Sequence, residues 1–88
     1  MMLTYFGHSA IQIEKADRQI LIDPFISENP HVRGIVTVGD FHPDVILITH
    51  AHGDHWGDTE ELAAKSNALV VANYEIVTYL SSKTGHQN

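Results

Sequence analysis

Three of the chain's seven histidines fall within the ten residues Thr49-His50-Ala51-His52-Gly53-Asp54-His55-Trp56-Gly57-Asp58, which we call the histidine loop. The loop follows Val45-Ile46-Leu47-Ile48, an apolar and mostly β-branched run that Pro43-Asp44 bounds upstream. Such a run predicts a strand buried on both faces of a sheet. The histidine loop therefore begins where a buried strand ends.

The spacing of side chains in the histidine loop suits metal binding. Side chains alternate along an extended chain, so we expect His50 and His52 on the same side. Gly53 permits a bend, which we expect to return Asp54 and His55 toward the same place. Neutral imidazoles and carboxylates are ligands of zinc, manganese and iron. Four such groups within six residues exceed what one catalytic ion usually takes from a single loop, and they predict two adjacent divalent ions. The alternative is a histidine-rich solvent loop with at most an accidental ion site.

The composition limits the class of protein. The 88 residues make at most one small domain with a marginal core. A net charge of -6, with five Lys and Arg, offers no surface for a nucleic-acid backbone. The absence of cysteine leaves nitrogen and oxygen as metal ligands and suits the cytoplasm. The N-terminus lacks the pattern of a signal peptide or a membrane span, so we expect no membrane partner.

Hydrophobic periodicity predicts an α/β protein. Strands are expected over 3–6, 10–14 and 20–22 as an antiparallel meander, with a brief strand over 35–38. After the strand at 45–48, Asp58 is the predicted N-cap of a helix over 59–66, and Glu61 would complete a capping box. A strand over 68–72 leads to a second helix, which Asn73 starts and Gly85 ends. The order β-β-β-loop-β-α-β-α supplies helices for one face of the sheet and nothing for the other.

The motif His50-x-His52-x-Asp54-His55, between a buried strand and a capped helix, resembles the signature of the metallo-β-lactamase fold superfamily. Tyr5-Phe6-Gly7-His8-Ser9-Ala10 and Ile20-Leu21-Ile22-Asp23-Pro24-Phe25 resemble the branch of uncharacterised metal-dependent hydrolases related to the L-ascorbate-6-phosphate lactonases. The resemblance implies the N-terminal half of an αββα sandwich. Residues 1–88 would then be the N-terminal part of a single domain whose C-terminal part is absent.

The resemblance also implies roles for the motif residues. His50 and His52 would hold the first metal, and Asp54 and His55 the second, with Asp54 also orienting the nucleophile as a catalytic residue. Zinc is the expected metal, with manganese or iron as alternatives. The remaining ligands would come from the later half of the family's domain, so each metal would have two protein ligands from this chain where a catalytic zinc normally has three.

Residues outside the motif have weaker signals. Asp23, at a strand end, resembles the acid that steadies the histidine loop in the family, although an Asp-Pro turn explains it as well. His8 is balanced between a buried structural histidine and a second-shell or substrate-facing residue. Trp56 is expected to pack, and Asp58 to act first as a helix cap. Surface positions are expected for His31, His42 and His86.

Two functions remain open at this point. The first is a metal-dependent hydrolase acting on an ester, lactone, amide or phosphoester of a small molecule, incomplete in this chain. The alternative is a non-catalytic metal-binding or assembly fragment, whose exposed sheet face pairs with the missing C-terminal half or with another copy.

Overall fold

A computed structural model describes residues 1–50 and 52–86 of the chain. Five strands form one mixed sheet, and three α-helices and a 3-10 turn follow or interrupt them. The strands are β1 (Met2–Tyr5), β2 (Ile11–Lys15), β3 (Arg18–Ile22), β4 (Val45–Leu47) and β5 (Leu69–Val71). The helices are α1 (Gly53–Trp56), α2 (Thr59–Ser66) and α3 (Tyr74–Thr84), and the 3-10 turn is Val38–Asp40.

The strands lie in sequence order across the sheet. β1, β2 and β3 pair antiparallel, which confirms the predicted meander. β3 pairs with β4, and β4 with β5, in parallel. The parallel strands end at the same edge of the sheet, and both the histidine loop and the start of α3 leave from this edge. The predicted α/β class is confirmed.

One face of the sheet is buried beneath the helices. Leu21, Ile46 and Val70 are cross-strand neighbours on this face, and each is almost fully buried. They belong to one core cluster with Leu62 of α2 and Leu80 of α3. Burial of apolar surface here stabilises the chain by roughly 25 cal/mol per Å². The core thus lies between the sheet and its single helical layer.

The opposite face of the sheet is apolar and has no covering layer among the described residues. We call it the open sheet face. Leu69 and Val71 on β5 are 48% and 46% exposed, and Leu3 and Tyr5 on β1 are 61% and 63% exposed. The strand register places ten apolar residues on this face, namely Leu3, Tyr5, Ile11, Ile13, Ile20, Ile22, Val45, Leu47, Leu69 and Val71.

This face corrects the prediction that the strand at 45–48 is buried on both sides. Ile46 and Ile48 are buried, but Val45 and Leu47 point toward the open sheet face and are half-buried. The strand is apolar on both faces, but the described residues cover only the face that carries Ile46 and Ile48.

The predicted strand over 35–38 is wrong. The backbone N–H groups of Ile35 and Val36 both donate to the carbonyl of Val32, at 2.8 and 3.1 Å, and Val38 enters the 3-10 turn. Val38 and Phe41 are buried in the core instead of extending along a sheet edge. A β-branched run without a neighbouring strand has satisfied its backbone locally.

The later helices agree with the sequence prediction. α2 spans Thr59–Ser66, and Asn73 starts α3 by accepting the N–H of Ile76 at 2.9 Å through its side-chain oxygen. Gly85 ends α3 with a positive φ of 75°, a conformation that glycine adopts without strain. Within the described ranges, none of these helices has the length and apolar character needed to cross a bilayer.

Candidate metal centre

The histidine loop reverses direction through one helical turn. His52 lies at the N-cap of α1, and its carbonyl accepts the N–H groups of His55 and Trp56 at 2.9 and 2.8 Å. The sequence did not predict this turn, because four residues are too few to show helical periodicity. α1 determines where Asp54 and His55 lie.

The expectation for Gly53 needs correction. Gly53 does not have a positive φ, and a Cβ built on it would meet no atom within 4 Å. The chain reverses through the helical turn rather than through a bend that only glycine allows. Gly57 is the constrained glycine: its φ is 46°, and a Cβ there would lie 2.4 Å from the carbonyl oxygen of Pro24.

The imidazole of His50 contacts those of both His52 and His55. The ring centroids of His50 and His55 are 3.7 Å apart, and those of His50 and His52 are 4.7 Å apart. Asp54 joins this group, because its Oδ1 lies 3.7 Å from Nε2 of His55. A cation bonded to both atoms at about 2.0–2.2 Å spans such a separation. The structure thus brings together the four residues that the sequence proposed as ligands.

The ligand geometry is only partly assembled. Across residues 1–50 and 52–86, no group of three or more His, Asp or Glu side chains is arranged to hold one ion. The nitrogen and oxygen donors fit zinc, manganese or iron in kind. The division of the four residues between two ions stays a prediction.

Asp23 orients the loop from beneath. Its carboxylate is 1% exposed, and Oδ1 accepts the backbone N–H of Thr49 at 2.8 Å. Oδ2 accepts the hydroxyl of Thr49 at 2.6 Å and lies 2.9 Å from Nδ1 of His55. When Nδ1 donates to this carboxylate, Nε2 of His55 keeps its lone pair for a cation. These contacts are those expected of a residue that steadies the histidine loop. The role of Asp23 in catalysis stays a prediction.

Sequence reasoning missed Thr49. Its hydroxyl donates to Asp23 and lies 3.1 Å from Nδ1 of His50, so it connects the buried carboxylate to a second imidazole. A hydroxyl residue directly between a buried strand and the first motif histidine was the available signal. The hydroxyl of Thr49 is close enough to the imidazole of His50 to orient it.

Asp58 occupies the predicted N-cap position of α2, but its side chain makes no capping hydrogen bond and no capping box with Glu61. Its carboxylate instead accepts the N–H groups of Ile26 and Ser27, at 2.9 and 2.8 Å, and the hydroxyl of Ser27 at 2.6 Å. Hydrogen bonds to a segment more than thirty residues earlier thus replace the predicted hydrogen bond to the first turn of α2.

The imidazole of His8 contacts two other aromatic rings. Its ring packs edge-on against Phe25 and His31, with centroids 5.1 and 5.4 Å apart. His8 is exposed and has a positive φ of 52°, so the alternative of a buried structural histidine is wrong. Its predicted role, contacting a metal ligand or facing the substrate, stays a prediction.

The remaining histidines and Trp56 have simple positions. His31 and His42 are exposed, as predicted, whereas His86 is half-buried. Trp56 packs against the core and contacts Tyr79 edge-on at 5.6 Å, in agreement with the packing role expected for it. A cavity of about 470 Å³ adjoins Trp56, and its other lining residues are Asn73, Glu75, Ile76 and Tyr79.

The chain resembles known proteins along almost its whole length. Residues 2–86 match the family described as the beta-lactamase superfamily domain. The chain is 50% identical over 86 residues to a UPF0173 metal-dependent hydrolase of Salinibacter ruber, covering 98% of this chain and 37% of that protein. It is 54% identical over 83 residues to a UPF0173 metal-dependent hydrolase of Anoxybacillus flavithermus, covering 94% and 36%.

Solved structures show the same fold. A metallo hydrolase from the archaeon Ignicoccus hospitalis superposes with a TM-score of 0.74 at 36% identity, covering 97% of this chain and 36% of that one. An isothiocyanate hydrolase from Delia radicum gut bacteria superposes with a TM-score of 0.66 at 26% identity, covering 98% and 39%. The α/β fragment of a metallo-β-lactamase-like sandwich predicted from the sequence is confirmed.

The matches cover only part of each relative. It spans little more than a third of the length of the curated relatives. Because the family match extends over residues 2–86, the chain belongs to the beta-lactamase superfamily domain family.

Proposed function

We propose that this chain supplies part of the metal centre of a metal-dependent hydrolase. The observation that carries the proposal is the convergence of His50, His52 and His55 at one sheet edge, beside the carboxylate of Asp54. The names of the relatives from Salinibacter and Anoxybacillus support the same activity. The expected metal is zinc, with manganese or iron as alternatives that the same donors accept.

Each side chain of the site has a separate proposed role. His50 and His52 would hold one ion, and Asp54 and His55 a second. Bound divalent ions supply a water of lowered pKa and polarise the bond under attack. Asp54, whose side chain is 49% exposed, would accept a hydrogen bond from that water and so orient it. Asp23 keeps His55 in the orientation in which Nε2 faces Asp54.

The expected substrate is a small molecule with an ester, lactone, amide or phosphoester bond. The net charge of -6 disfavours a nucleic-acid substrate. One of the similar solved structures is an isothiocyanate hydrolase, so the screen also includes an isothiocyanate. The absence of cysteine is compatible with the proposed cytoplasmic location.

Zinc binding and turnover test this proposal. The full-length protein, whose remaining ligands this chain alone lacks, is loaded with zinc or manganese and screened against the four bond classes. Its variants are His52→Ala and the control His42→Ala, whose imidazole is exposed in a loop before β4. We expect turnover that His52→Ala abolishes and His42→Ala preserves. A screen in which no activity depends on His52 would contradict the hydrolase.

The open sheet face favours a second candidate function, assembly without catalysis. Its ten apolar residues include four that are nearly half exposed or more, which is unusual for an unpaired domain. The remainder of a longer protein, or another copy of this chain, would cover it. Native mass spectrometry of the 88-residue chain separates these cases, because a metal-free monomer with a cooperative melt contradicts the assembly role.

A further inference from the structure

The segment 23–27 contacts the histidine loop at both of its ends. At the start of the loop, Asp23 holds Thr49 and His55. At its end, the backbone N–H of Asp58 donates to the carbonyl of Pro24 at 2.9 Å. The turn α1, which carries Asp54 and His55, is therefore fixed on both sides by one short segment.

The contacts at the end of the loop are numerous and specific. Both oxygens of the Asp58 carboxylate are used: Oδ2 accepts the N–H groups of Ile26 and Ser27, and Oδ1 accepts the Ser27 hydroxyl. Gly57 lies directly against Pro24, without space for a Cβ. A carboxylate that accepts three hydrogen bonds is held more firmly than an exposed helix cap. Its position fixes the C-terminal end of α1.

We infer that Asp58 is a positioning residue for the metal centre, acting through Ser27 and Ile26 on the turn that presents Asp54 and His55. This inference rests on the proposed metal binding by the histidine loop. Removal of the carboxylate frees the end of α1, so the ligands lose their preorganised placement and metal affinity falls. Residues that orient ligands indirectly typically contribute tenfold or more to metal affinity.

Two substitutions separate positioning from charge. Asp58→Ala removes all three hydrogen bonds. Asp58→Asn keeps one oxygen for the two N–H groups and offers an amide N–H to the Ser27 hydroxyl, which can accept it. If geometry matters, the Asn variant keeps most of the affinity. If Asp58 acts through its negative charge, both variants lose it equally.

Asp44→Ala is the matched control. Asp44 is an exposed carboxylate that also accepts a backbone N–H from a distant residue, Gln19, at 2.8 Å. It precedes β4 and lies at the end of that strand opposite the histidine loop. The control therefore loses a comparable long-range hydrogen bond without touching α1.

The experiment uses the full-length protein and measures zinc affinity by competition with a chromophoric chelator, the visible spectrum of bound Co²⁺, and amide hydrogen exchange in the metal-free protein. We expect Asp58→Ala to weaken zinc binding by about tenfold and to speed exchange at the amides of His55 and Trp56. Asp58→Asn and Asp44→Ala should resemble the parent protein. If Asp58→Ala binds zinc as the parent does, or if Asp58→Asn is as weak as Asp58→Ala, the inference is overturned.

Two further outcomes are distinguishable. If the parent protein binds no zinc, the proposed function fails, and exchange in the metal-free protein still decides whether Asp58 holds α1. Faster exchange confined to the first turn of α2 would identify Asp58 as a helix cap and overturn the inference. If Asp58→Ala does not fold, Ser27→Ala, which removes one hydrogen bond at an exposed side chain, must show a smaller change in the same direction.

Discussion

The carboxylate of Asp23 lies 2.9 Å from Nδ1 of His55, although 32 residues separate them in the chain. The same carboxylate accepts the backbone N–H of Thr49, the residue that leads from β4 into the histidine loop. One buried acid thus sets both the path of the loop at its start and the orientation of an imidazole at its far side.

Asp23→Asn should weaken metal binding. The amide places a donor where one carboxylate oxygen stood, so either Thr49 or His55 loses its acceptor and Nδ1 of His55 is no longer favoured as a donor. We expect zinc affinity to fall by about 10–100-fold. Chelator competition measures this, with Asp17→Asn in an exposed turn as the control. Equal affinity in the two variants would contradict the role given to Asp23.

The two glycines of the loop should respond in opposite ways to alanine. Gly57→Ala forces a Cβ to within 2.6 Å of Cα of Phe25 at a positive φ, and we expect a loss of stability of about 1–3 kcal/mol. Gly53→Ala meets no atom and adds a residue that favours the helical turn, so we expect no loss and a gain of up to about 1 kcal/mol. Urea denaturation followed by circular dichroism measures both, and a larger loss for Gly53→Ala would contradict the geometry.

The open sheet face should govern association. Leu47→Lys places a charge in the middle of this face, and we expect it to reduce self-association and the binding of an apolar dye. Ile35→Lys is the control, because Ile35 is 76% exposed in a loop away from the sheet. Analytical ultracentrifugation compares the two variants. If both reduce association equally, general solubility and not this face is responsible.

The sequence predicted those elements that depend on neighbouring residues. The strands of the meander, α2 over 59–66 and the Asn73 cap all follow from local patterns and were confirmed. Grouping of the four motif residues also followed from their spacing along one loop. At these positions the local pattern agrees with the contacts that the rest of the fold supplies.

The failures have a common physical cause. Asp58 had the sequence of a helix cap, but Ile26 and Ser27 offer three donors to its carboxylate from 31 or 32 residues away. The run 35–38 had the composition of a strand, yet no strand within residues 1–50 and 52–86 lies beside it to complete a ladder. In both cases the outcome depends on whether a distant partner is present. A local sequence pattern does not contain this information, so only the structure shows which hydrogen bonds form.

Asn29, which no sequence pattern distinguished, should be among the most sensitive positions. It is fully buried, and its Nδ2 donates to the carbonyls of Phe6 and Phe25 at 3.1 and 3.0 Å while its Oδ1 accepts the N–H of His31 at 2.9 Å. Asn29→Ala takes the partner from these partly buried backbone groups, each at a cost of up to about 1–3 kcal/mol.

The helix cap Asn73 provides the comparison for Asn29. Asn73→Ala removes one hydrogen bond at an exposed helix start and should cost about 1 kcal/mol. Denaturant unfolding of both variants should therefore rank Asn29→Ala well below Asn73→Ala in stability. Asn29→Asp should not restore it, because a carboxylate oxygen in place of Nδ2 faces two carbonyl oxygens. Recovery in Asn29→Asp would mean that the contact with His31 alone holds this loop.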